Sequence, residues 1–97
     1  MKSVLISFDQ AHYDTIVDLL EKTGCRGFTG WREAQGRGSR TGEPHYGTHA
    51  WPSLAAAIIT IVDDARVDPL LDRLRDLDAE RPLLGLRAFV WNIERSI

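Results

Sequence analysis

Hydrophobic periodicity along this chain switches from two to about 3.6 and back, twice over, and few folds satisfy that order. Residues 2–8, KSVLISF, put Val4, Ile6 and Phe8 on one face, the mark of a short strand. Asp9 offers a helix N-cap. Tyr13, Ile16, Val17 and Leu20 then fall at i, i+3, i+4 and i+7, one apolar helical stripe. Gly24 predicts the helix stop. Residues 27–35, GFTGWREAQ, read as a second strand that Gly30 weakens. After a polar stretch, SLAAAIITIV at 53–62 reads as a buried strand, apolar on both faces. Its alanines leave 53–57 undecided on propensity alone.

Asp63 and Asp64 can cap the next helix. Val67, Leu70, Leu71, Leu74 and Leu77 form its inner stripe, and Asp72, Arg73, Arg75 and Asp76 face outward. Pro69 is expected in the first turn, where its missing N–H costs little. Pro82 and Gly85 break the chain, and 86–93, LRAFVWNI, make a last strand. The fold class this predicts is α+β. It is the ferredoxin-like βαββαβ plan, a four-stranded antiparallel sheet with both helices on one face and a long loop between strands 2 and 3. Ninety-seven residues fit one such domain, 1–97.

Two helices cover only one face of the sheet, yet the strands are apolar on both. Ala57, Ile59 and Ile61 lie opposite Ala56, Ile58 and Val62, and Phe89, Trp91 and Ile93 lie opposite Leu86, Ala88 and Val90. Such a face left bare would be an unusually large apolar patch. Burial at about 25 cal/mol per Å² favours covering it with another subunit. The expectation is a homo-oligomer.

The loop, GRGSRTGEPHYGTHAW at 36–51, carries four of the eight glycines and two of the three histidines. Unstructured loops beyond about 12–15 residues are uncommon and often functional. Gly36, Gly38, Gly42 and Gly47 open backbone angles closed to other residues. Successive free amides in such a turn can form an anion nest, with Arg37 or Arg40 adding charge. A solvated flexible hairpin is the plain alternative. Residues 26–40 hold four arginines against Glu33, a net +3 within a chain of net −2. A local basic patch on an acidic body suits a small anion better than a polymer, and no nucleic-acid partner is expected.

Composition narrows the setting further. Cys25 is the single cysteine, so no internal disulfide forms, which fits a reducing cytoplasm. No export leader and no stretch of membrane-spanning length is visible. The expected location is cytoplasmic.

GCRGFTGWREAQGRGSRTG resembles the second strand and loop entry of the nitrogen-regulatory PII signalling proteins. Their pattern is Gly-x-x-Gly-[Met/Phe]-Thr followed by Gly-Phe-Gly-Arg-Gln-Lys-Gly. ITIVDDARVDPLLDRL is similar to their third strand and second helix, and GLRAFVWNIERSI to their last strand. Together these pieces cover nearly the whole chain in order. Copper-tolerance CutA-like proteins share the fold and trimer, but their motifs match less well.

The resemblance implies a signal-transduction protein without catalytic residues. It implies a homotrimer that binds an adenine nucleotide (ATP, ADP or AMP) in clefts between subunits, with no required cofactor. It also implies a T-loop that reaches into a partner, such as a membrane transporter or an enzyme. By position, Thr29 stands near the adenine end, and Gly36, Arg37, Gly38, Ser39 and Arg40 line the phosphate turn. Arg87 stands where the family has a phosphate-binding lysine, and an arginine can hold phosphate there by a forked contact. The partner-binding loop is Thr41, Gly42, Glu43, Pro44, His45, Tyr46, Gly47, Thr48 and His49.

The chain also departs from the family. Ser39, Arg40 and Thr41 replace the Arg-Gln-Lys run, so sensing of 2-oxoglutarate is not expected. Leu84, Gly85 and Leu86 replace a Gly-Asp-Gly segment and narrow the room beside the phosphates. A C-terminal Arg-x-Arg pair is absent, and Tyr46 lacks the context for nucleotidylylation. In such diverged branches the effector is an adenine nucleotide, bicarbonate or a metal.

Other constellations are weaker. His45 and His49, with Glu43, make an alternative metal-responsive reading, but Pro44 and Gly47 oppose the helix that would align the imidazoles. His12 reads as a surface residue and Cys25 as a packed thiol. No histidine or carboxylate is placed to activate Ser39 or Cys25, so a nucleophilic enzyme is not expected. Trp31 and Trp51 flank the loop, to pack at its base or to stack on an adenine.

Overall fold

The period-two run at the start of the chain forms β1, Lys2–Asp9, with Val4, Ile6 and Phe8 buried as its alternation requires. The computed structural model describes residues 1–35 and 54–97. Asp9 ends the strand and caps a single 3-10 turn, Gln10–His12, by accepting the Ala11 amide at 2.8 Å. Helix α1, Tyr13–Lys22, follows and buries Ile16, Leu19 and Leu20. Its end is a Schellman stop. The Cys25 amide donates to the Leu20 carbonyl at 2.8 Å and the Gly24 amide to the Glu21 carbonyl at 3.2 Å. Gly24 takes the left-handed φ of 76° that this motif needs. Cys25 lands in the core beside Leu20, so the lone thiol is packed.

Strand β2 spans Phe28–Ala34, β3 Ala55–Val62 and β4 Arg87–Asn92. The alanine-rich start of β3 is therefore extended from Ala55 onward, where pairing with Asp9, Phe8 and Ser7 decides what propensity does not. Sheet order is β2-β3-β1-β4, with every neighbour antiparallel. This is the ferredoxin-like plan.

Helix α2, Asp64–Glu80, buries Leu70, Leu74 and Leu77, with Val67 and Leu71 packed beside them. Pro69 lies within this helix, a turn further in than the sequence reading places it. It withholds the amide that would meet the Ala65 carbonyl. Ala65 is exposed, so water can serve that carbonyl instead. The aspartates divide their roles. The Asp63 carbonyl accepts the Arg66 amide, its carboxylate makes no capping bond, and Asp64 pairs with the Met1 ammonium at 2.9 Å.

Both helices pack on the face holding Val4, Ile6, Phe8, Ala56, Ile58 and Val62. The opposite face has no helix. There the register sets Thr29, Ile59, Leu5 and Phe89 in one row across the sheet and Trp31, Ala57, Ser7 and Arg87 in the next. Phe89 is 57% exposed, Trp31 49%, Trp91 46% and Ile61 43%, so the face is bare within one chain. No helix among the described residues is long and apolar enough to cross a membrane.

Candidate functional site

Of the residues expected at the nucleotide site, Thr29 and Arg87 are described, and both point to the bare face of the sheet. Thr29 pairs with Ile59 on β2, and Arg87 pairs with Ser7 on β4. These strands are the two outer ones. Three strand spacings separate them, about 14 Å across the sheet. Within one chain they flank opposite sides of an apolar surface.

Gly36, Arg37, Gly38, Ser39 and Arg40 lie outside the described residues, as do the loop residues 41–49, including His45 and His49, and Trp51.

Local structure explains the position of Arg87. After α2 the chain makes a second 3-10 turn, Pro82–Leu84. Gly85 then adopts a left-handed φ of 65°, which lets the chain reverse into β4. Leu84 and Leu86 are both buried and clamp the chain on either side of Gly85. Arg87 follows at once, exposed, with its Nη1 donating to the Leu86 carbonyl at 2.6 Å. Among the described residues it has no carboxylate partner. Its charge is available to an anion.

Thr29 has a different setting. β2 enters the sheet at Phe28, opposite Thr60. The Thr60 hydroxyl, buried, donates to the Gly27 carbonyl at 2.6 Å and fixes the entry. A shallow cleft at this end is lined by Arg26, Gly27, Val62 and Arg66. A Cβ on Gly27 would meet nothing within 4 Å, so the backbone there is open to approach.

The far end of β2 is held from below. Tyr13 at the start of α1 lies under Gly30, and the Arg32 guanidinium stacks on its ring at 4.3 Å while bonding Asp14 at 3.2 Å. The register shifts between Trp31 and Ala34, a bulge at the end of β2. Gly30 therefore admits an aromatic ring beneath the strand and does not interrupt it. The sequence reading missed this cluster, and it also missed that Ser7 stands beside Arg87. Neither is visible without the cross-strand register.

No group of three metal-ligating side chains gathers among the described residues.

Comparison with known proteins identifies the family. The family model for nitrogen regulatory protein P-II matches residues 1–97. Among solved structures, CPII from Thiomonas intermedia K12, a PII-like protein bound to ADP and bicarbonate, is 27% identical with a TM-score of 0.75. That match covers 95% of this chain and 84% of CPII. A PII-like signalling protein from Thermus thermophilus is 25% identical with a TM-score of 0.70, covering 95% of this chain and 85% of its own. No curated protein matches. With the family matched from end to end and the split βαβ sheet in place, the chain belongs to the nitrogen regulatory P-II family of signalling proteins.

Proposed function

We propose that this chain is a PII-like regulator that binds an adenine nucleotide at clefts between the subunits of a homotrimer. The observation that carries the reading is the placement of Thr29 and Arg87 on one face but at opposite edges of the sheet. In a cyclic assembly the edge of one chain meets the other edge of the next. The Arg87 edge then stands against the Thr29 edge of a neighbour. The bare face with Phe89, Trp91 and Ile61 supplies the apolar contact that holds the subunits together.

The ligand class follows from charge. An exposed arginine without a carboxylate partner among the described residues suits a phosphate or another small oxyanion. Arg37 and Arg40, in the stretch of sequence after β2, add two more positive charges. CPII, which shares the fold, holds ADP and bicarbonate. Bicarbonate is therefore the second effector to test. Residues 41–49 carry the signal to a partner protein such as a transporter or an enzyme, and the chain itself performs no chemistry.

Calorimetric titration with ATP, ADP, AMP and bicarbonate tests the reading, beside the mass in solution. A trimer that binds at least one nucleotide is expected. Arg87→Ala should weaken that binding about tenfold or more, the worth of a hydrogen bond to a charged group. A monomer, or a protein silent to all four ligands, ends the proposal.

A further inference from the structure

The start of α1 and the end of α2 meet at one side-chain pair, His12 and Arg81. His12 closes the 3-10 turn before α1, and Arg81 is the C-cap of α2. Arg81 Nη1 lies 3.0 Å from His12 Nδ1. A guanidinium has only donors, so the imidazole nitrogen must accept. This contact therefore requires the neutral tautomer with its proton on Nε2.

Arg81 is also the pivot of the segment that leads to Arg87. Its amide closes α2 on the Leu77 carbonyl, and its carbonyl accepts the Leu84 amide at 3.0 Å. Gly85 in the left-handed region and Arg87 follow within six residues of Arg81. We propose that the His12–Arg81 contact is a pH-sensitive clasp that sets how firmly the Pro82–Leu84 turn, and with it Arg87, is held.

The chemistry is direct. A proton on Nδ1 removes the only acceptor the imidazole offers Arg81 and sets two cations at hydrogen-bond distance. Histidine is the side chain suited to change charge between about pH 5 and 8. The contact is exposed and lies beside a cleft lined by Ala11, Pro82, Leu83 and Leu84, so salt weakens the repulsion and the response is read at low ionic strength. The other charged group lining this cleft is Asp9. Its carboxylate accepts the Ala11 amide and offsets part of the repulsion. Acidification therefore loosens the turn, while Leu84, fully buried, keeps the fold intact.

Amide hydrogen exchange of residues 83–87 in the full chain tests the clasp directly, corrected for the chemical pH dependence. Between about pH 7.5 and 5.5 exchange should rise about fivefold, the worth of one hydrogen bond. His12→Asn, whose carbonyl accepts from Arg81 but does not titrate, should show no rise. Arg81→Gln, which removes the repulsion, should also flatten the response. A flat response in the parent, or an equal rise in His12→Asn, overturns the proposal. A second arm rests on the nucleotide reading: the parent should bind ADP more weakly at the lower pH, and His12→Asn should not. If no nucleotide binds at any pH, the site reading fails while the exchange result still judges the clasp.

Discussion

Tyr13 occupies the space beneath Gly30 that a side chain on that strand would need. Its ring also carries the Arg32 guanidinium at 4.3 Å, and Arg32 bonds Asp14. One glycine thus lets helix α1 support β2 beside its terminal bulge. Gly30→Ala should push Tyr13 aside and cost about 1 kcal/mol or more, the range for overpacking. Tyr13→Phe in that background should restore part of the loss. Denaturant midpoints of the parent and the two variants check this, and a neutral Gly30→Ala refutes it.

Thr60 fixes the other end of the same strand. Its hydroxyl is buried and donates to the Gly27 carbonyl at 2.6 Å. Thr60→Val leaves that carbonyl without its partner and should lower stability by about 1–2 kcal/mol. Thr60→Ser keeps the donor and should lose less. Thermal melts separate the two, and a Thr60→Val protein that melts with the parent would refute the bond's contribution.

The Asp64 carboxyl is held below its ordinary value of 3.8, first by the hydrogen bond from the Met1 ammonium. Desolvation opposes this, and the charges of Met1 and Lys2 reinforce it. A lowered native pKa adds stability above the unfolded value and loses it as pH falls through the native one. The stability gap between the parent and Asp64→Asn should therefore be present at neutral pH and close on acidification below 3.8. The gap is small because both groups are exposed. Urea melts across pH read it, and a gap that widens in acid contradicts the assignment.

Phe89 and Trp91 stand about half exposed on the bare face of β4. Placing a carboxylate there, as Phe89→Glu, should split the proposed homotrimer, because an unpaired charge in an apolar contact is costly. Light scattering should show a smaller species with far-ultraviolet dichroism unchanged. Phe89→Leu should leave the mass as in the parent. A parent that is itself a monomer removes the premise.

The legible part of this fold lay in local patterns. The stripe Ile16, Val17, Leu20 and the stripe Leu70, Leu74, Leu77 are set by helical spacing, which any sequence displays. Gly24 was readable as a stop because only glycine enters the left-handed region freely. Pro69 was less so, since the helix start depends on Asp63 and Asp64, and they act through a carbonyl and an ion pair. Gly30 read as a weakness in a strand because its neighbour Tyr13 is distant in sequence.

The candidate site divides in the same way. Thr29 and Arg87 were visible by their place in a family pattern, but the sheet order alone puts them on opposite edges. The order of elements, the Asp9 cap, the Gly24 stop and the two-sided apolar strands were determined by the amino-acid sequence, because each depends on residues within a few positions of one another. Which side chains face each other across the sheet, the seat of Tyr13 under Gly30 and the contact of His12 with Arg81 were decided by tertiary structure. Their partners are brought together only when strands and helices distant in the chain pack, and no local pattern encodes that register.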